Sequence, residues 1–187
     1  MPGDLGRRFI MKIWEVKHQI SPDVALIAYK RMEDIDPTLF FRGEKLGGSW
    51  KVPAAQLNPA QPGARVVDFP FFEYGALLCR TTTWGILKPF LELEVELLPV
   101  DVEGFSYQVL NPIQVIDCLD KERSRMTFSK TGRVMSIEHH VFNEEVLSGV
   151  YLFKTPELIS TRVYATEALR EIIAKNRMEG LEFRGLA

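Results

Sequence analysis

The sequence predicts an α+β fold: a mixed, mainly antiparallel sheet with few helices, built around two similar strand–helix–strand units. Three observations carry this. Leu91, Leu93, Val95 and Leu97 alternate with Glu92, Glu94 and Glu96 in the run Leu91–Gly104, and a period of two puts one set of side chains on each face of a strand. In TEALREIIAKNRMEG, by contrast, Leu169, Ile172 and Ile173 share one helical face, with Glu167 in the first turn and Gly180 past the end. The remainder is mostly short extended runs divided by turn signals, the pattern of a sheet protein.

The totals bound the answer further. A chain of 187 residues with 46% hydrophobic and 26% charged residues is ordinary globular composition, long enough for a sizeable core. We expect residues 1–10 to be a loose leader and 11–187 one α+β domain. The net charge of −2 gives no general attraction to nucleic acid or to an anionic membrane. No apolar run approaches the ~18 residues needed to span a bilayer. Arg7 and Arg8 precede no apolar stretch of the kind a secretory signal needs. Cys79 and Cys118 lie in apolar, strand-like surroundings and read as reduced core thiols. The expected location is the cytoplasm.

Taken in order, Met11–Ile20 alternates as a first strand. Ser21, Pro22 and Asp23 offer an N-cap, a first-turn proline and a first-turn acid, so VALIAYKRMED is read as a short helix, with a buried strand as the rival. Phe41–Pro70 is broken by Gly43, Gly47, Gly48, Pro53, Pro59, Pro62 and Gly63, which forbids any long element. Trp50 inside it is expected to plug this connection onto the core; its rival role is an anchor for a partner.

The two units come next. Val163, Thr166 and Leu169 stand 85 positions after Leu78, Thr81 and Trp84, and Glu182 stands 86 after Glu96. Each unit reads as strand, Thr N-cap, helix and strand, although Pro89 should kink or restart the first helix. Between them FSYQVL, Ile113–Leu119 and Arg125–Ser129 look extended. Ser129-Lys130-Thr131-Gly132 is a hairpin turn with Arg133–Val141 returning, and Asn143 caps one helical turn. Val150–Lys154 reads as another strand.

Chemistry is thinly signposted. His139 and His140 are adjacent, so a strand points them to opposite faces, away from any common ion. Cys118 sits between Asp117 and Asp120, and carboxylates raise a thiol pKa rather than lower it. There is no nucleophile elbow, phosphate loop or dinucleotide fingerprint, and no cofactor is expected. What remains is charge. Lys121, Arg123, Arg125, Lys130 and Arg133 form a basic run expected to lie beside the acidic strand and pair with it. The competing reading sets Glu92, Glu94, Glu96, Asp101 and Glu103, with Trp50, against a basic surface on another protein, where opposed charge selects partners and speeds encounter.

The order of the pieces adds a resemblance. MKIWEV, then Gly43, Leu46 and Trp50, then Asp68-Phe69-Pro70, Leu97-Leu98-Pro99, YQVLNPIQVIDCLD, VYLF and the closing VYATEALREIIAKNRMEGLEFRGL resemble the bacterial immunity-protein family numbered eleven from Met11 to the end. The resemblance implies a non-catalytic cytoplasmic protein of a polymorphic toxin system that binds a cognate secreted toxin. Many such toxins are basic nucleases, which an acidic strand face would suit by imitating nucleic acid. Two other readings stay open: a dimeric assembly module joined through a sheet edge, and a small enzyme using His139, His140, Asp117 and Cys118.

Overall fold

In the computed structural model, residues 11–31, 33 and 41–186 are described; the expected leader 1–10 lies outside them. The fold is α+β, with two α-helices and twelve short strands in several sheets among the described residues. Strand β1 is Ile13–His18, β2 Ile27–Tyr29 and β3 Ala54–Leu57. The first unit is β4 (Leu77–Arg80), α1 (Thr81–Leu91) and β5 (Val95–Pro99). Then come β6 (Asp101–Val102), β7 (Tyr107–Pro112), β8 (Arg125–Phe128), β9 (Val134–His139) and β10 (Leu152–Phe153). The second unit is β11 (Tyr164–Thr166), α2 (Glu167–Lys175) and β12 (Leu181–Gly185).

Both units are real, and they are built alike. β4 and β5 each pair antiparallel with β7, which lies between them. β11 and β12 each pair antiparallel with β1, which fills the same place. Each unit is therefore a split β-α-β whose gap is closed by a strand from elsewhere in the chain. The helices open at Thr81 and Glu167 and the second strands at Val95 and Leu181, so the structural offset is already 86 at the helices. The threonines cap neither helix. The Thr166 hydroxyl donates to the Val150 carbonyl at 2.7 Å, and Thr81 Oγ1 lies 2.9 Å from Ser106 Oγ; the segments leading into β10 and β7 have taken both groups. Nor does Pro89 end α1. It sits in the last turn beside Gly85 on the exposed side, where the carbonyl it leaves unbonded is open to water.

Strand alternation sorts the core into layers. Leu77, Cys79, Leu110, Val95, Val16, Leu152 and Ala165 face Trp84, Leu87 and Leu91 of α1 and Leu169 and Ile173 of α2, so both helices share one apolar cluster. The opposite face of the β4-β7-β5 sheet, through Leu78, Leu98 and Val109, packs on Ile27, Ala55 and Val102 of the β2-β3-β6 sheet. The opposite face of the β10-β11-β1-β12 sheet, through Ile13, Tyr164 and Phe153, covers Cys118 and Leu147.

Two local expectations fail for tertiary reasons. VALIAY is not helix, and its second half is strand β2: Ser21 to Val24 is a turn, and Ala25, Ile27 and Lys30 donate their N–H groups to Arg65, Phe71 and Ala54, distant partners that outweigh local propensity. Ile113–Leu119 joins none of the described sheets; Ile113 donates its N–H to the Glu94 carbonyl, and isolated bridges link Val115 to Lys154 and Leu119 to Phe142. The punctuated stretch Phe41–Pro70 holds no long element, as expected: its strand β3 has four residues, Ala54-Ala55-Gln56-Leu57, and lacks any β-branched signal. The 129–132 hairpin and the Asn143 cap form as expected, the latter accepting from the Glu145 N–H at 3.3 Å. Gly180 has φ +104°, and a Cβ there would lie 2.4 Å from the Phe69 carbonyl oxygen; only glycine lets β12 approach that segment.

Candidate partner-binding surfaces

The run Leu91–Gly104 does not form one strand with an acidic face. Leu91 ends α1, a turn follows, and the pairing starts only at Val95. The turn resets the alternation, so Leu93 is 85% exposed while Glu94 is 8% exposed. Glu94 accepts from the Tyr151 N–H at 2.9 Å and the Leu152 N–H at 2.7 Å, closing the free edge of β10. Burial pushes its carboxyl up, against the pull of those two donors. Glu96 is also occupied: it accepts from Leu46 and Gly47 N–H at 2.8 and 2.9 Å and from Asn111 Nδ2 at 3.0 Å. Burial opposes ionisation there, but those donors and Lys45 hold the group below the usual carboxylate range. Trp50 donates to the Pro99 carbonyl at 2.8 Å with its ring 6.0 Å from Phe41, as a plug would. Three of the six predicted contacts thus belong to the scaffold. Glu92, Asp101 and Glu103 remain exposed, the last paired with Lys30 at 2.8 Å.

Glu94 joins the first unit to the edge of the second unit's sheet, so its removal has a predictable cost. Glu94→Ala leaves two backbone N–H groups without their acceptor and should destabilise by ~2–3 kcal/mol. Urea unfolding of that variant checks it; a loss under ~0.5 kcal/mol would show that water replaces the carboxylate freely.

The basic run does not lie beside the acidic one. β8 pairs with β9 alone, in a two-stranded ribbon that no other described strand joins. Its cations find other partners: Arg125 with Glu138 at 2.6 Å, Arg123 with Asp120 at 3.7 Å, and Lys121 with Asp117 at 3.2 Å and Glu157 at 3.3 Å. Lys130 and Arg133, at the turn, are exposed and in no ion pair among the described residues. Met126 is registered with Ile137 and Phe128 with Val134, and a bulge between Thr127 and Phe128 sets both Val134 and Met135 opposite Phe128. Ile137 is buried at the root, whereas Phe128 is 58% and neighbouring Met135 65% exposed at the tip. The residues gave a signal for this: FSKTGRVM sets apolar ends around a cationic turn.

The residues weighed for catalysis are dispersed or silenced. His139 is exposed opposite Arg125, and His140 is buried, stacked on Phe142 with ring centroids 5.6 Å apart. Burial, then the charge of Arg184, pushes His140 down to about 4. Asp117 is exposed and bound to Lys121. Burial pushes Cys118 up to about 12, with Glu157 and Asp117 acting in the same direction, and pushes Cys79 higher still; both thiols are free and buried. Among the described residues no three His, Cys, Asp or Glu side chains converge as metal ligands, and no helix is long and apolar enough to cross a membrane.

The arrangement defines a class: an α+β scaffold in which Glu94, Glu96 and Trp50 are spent on structure while other charged and apolar groups stand outward on strands and a ribbon. A family model described as an immunity protein family (Imm11) matches residues 89–187, from the last turn of α1 through the ribbon and the whole second unit. The chain belongs to that immunity protein family, as its motif order implied, and membership points to an immunity function against a toxin. No curated protein matches the chain.

Proposed function

We propose that this protein acts inside the producing cell, binding a cognate toxin and blocking it by covering a surface. The observation that supports this most is the family match over residues 89–187, a stretch that includes the exposed turn of the β8–β9 ribbon. A rigid two-unit sheet scaffold suits such a role, because a preformed surface loses little freedom on docking.

The test uses the terminal domain of a candidate toxin, taken from the genes neighbouring the one for this chain, expressed with and without it. Growth should survive only with the immunity protein, and calorimetry with an inactivated toxin domain should show a tight complex. Neither protection nor binding would end the proposal. Protection by catalysis is separated by a double variant, Asp117→Ala with His139→Ala, both at exposed positions. Protection should stay within about twofold of wild type, as expected for exposed residues outside an interface core; its loss with binding intact would favour an enzyme.

A further inference from the structure

We propose that the β8–β9 ribbon is the element that docks, entering a carboxylate-lined cleft with an apolar floor on the toxin; this rests on the binding reading above. Charge is segregated in this arm. Between Lys121 and His140 stand Lys121, Arg123, Arg125, Lys130 and Arg133 against Glu122 and Glu138, in a chain whose net charge is −2. At the root the cations are answered by Glu138, Asp120, Asp117 and Glu157. At the tip Lys130 and Arg133 have no such answer among the described residues.

Apolar exposure is placed at the same end. Phe128 and Met135 are among the more exposed large apolar side chains of the described residues, and they flank the two unpaired cations. Single exposed apolar residues are unremarkable, but an exposed aromatic and an exposed methionine set across from each other at the bulge of one ribbon form the composition of an interface centre. Strands of four and six residues extend roughly 13–20 Å at the usual rise, enough to reach into a cleft. Both outer strand edges also carry backbone groups that no other described strand pairs, available for strand addition by the partner.

A protein cleft fits better than a nucleic acid. Phosphate binding draws on many cations, whereas this tip has two, set against a negatively charged body. The acidic complement gives orientation and fast encounter, and the Phe128 and Met135 side chains supply the buried contact.

Four proteins are compared in calorimetry against the inactivated toxin domain: wild type, Lys130→Glu/Arg133→Glu, Phe128→Ser/Met135→Ser, and Glu92→Lys/Asp101→Lys. All substituted positions are exposed, and unchanged melting temperatures establish that each variant is folded. Each ribbon variant should bind at least about 100-fold more weakly, and the Glu92/Asp101 variant within about threefold of wild type. The charge-reversal variant should also lose the salt dependence of the on-rate. Wild-type affinity in both ribbon variants overturns the docking assignment and leaves toxin binding standing. No binding by wild type removes the underlying reading instead. Wild-type binding to a 20-base-pair DNA duplex, abolished in Lys130→Glu/Arg133→Glu, would replace the protein cleft with nucleic acid and overturn the proposal.

Discussion

Removing both arginines above Glu15 should destabilise the protein by ~3–5 kcal/mol, the cost of leaving a buried charge without a partner. Glu15 lies in the middle of β1, 1% exposed, and its carboxylate is paired with Arg162 and Arg184. The arginines keep access to water, with 33% and 50% of their side chains exposed, while the Glu15 side chain keeps 2%. The loss is therefore asymmetric. Arg162→Ala/Arg184→Ala strands a carboxylate in the core, whereas Glu15→Gln releases two guanidinium groups that can rehydrate, and should cost clearly less. Adding Glu15→Leu to the double alanine variant should recover much of the stability, because an apolar replacement of a buried ionic group is often neutral or better. Urea unfolding at pH 7 checks the series. Equal losses in the double arginine variant and in Glu15→Gln would show that Glu15 reaches water once uncovered.

The second large effect is acid sensitivity through two histidines. Burial pushes His18 down to about 4; its ring meets Phe71 edge-on at 5.3 Å and its Nε2 has no hydrogen-bond partner. His140 is also pushed to about 4 by burial and by Arg184. Both rings are neutral in the fold, and the unfolded chain protonates them near pH 6.5. The unfolded state then binds more protons, so stability is fully present above pH 6.5 and falls as the pH drops toward 4. Each ring contributes on the order of 2–3 kcal/mol to that fall. Denaturation midpoints measured from pH 7 to 4 should decline steeply in wild type and much less in His18→Phe/His140→Phe. A decline of equal size in both would assign the acid sensitivity to carboxylates.

Much of the fold was legible because its signals are local. The α2 face of Leu169, Ile172 and Ile173, the Ser129–Gly132 turn and the Asn143 cap each depend on neighbours a few residues away, and each is found where the pattern put it. The repeat was legible too, since two copies of one packing unit need apolar residues at matching spacings. VALIAY failed because a short apolar run does not state its period, and partners such as Arg65 and Phe71 settle its conformation from a distance. The candidate contacts were less legible. Alternation in Leu91–Glu96 implied a strand face, but it cannot register that a helix ends at Leu91 and that the following turn rotates Glu94 inward.

By itself, then, the sequence determined the class, the paired units and the family, since periodicity and motif order are properties of the chain alone. Only the tertiary structure decided which charges are free. Glu94, Glu96, Trp50 and Glu15 meet partners tens of residues away and are consumed by the scaffold, while Phe128, Lys130, Arg133 and Met135 are left outward. Burial of a charge depends on what the rest of the fold brings to it, and no spacing within one strand encodes that.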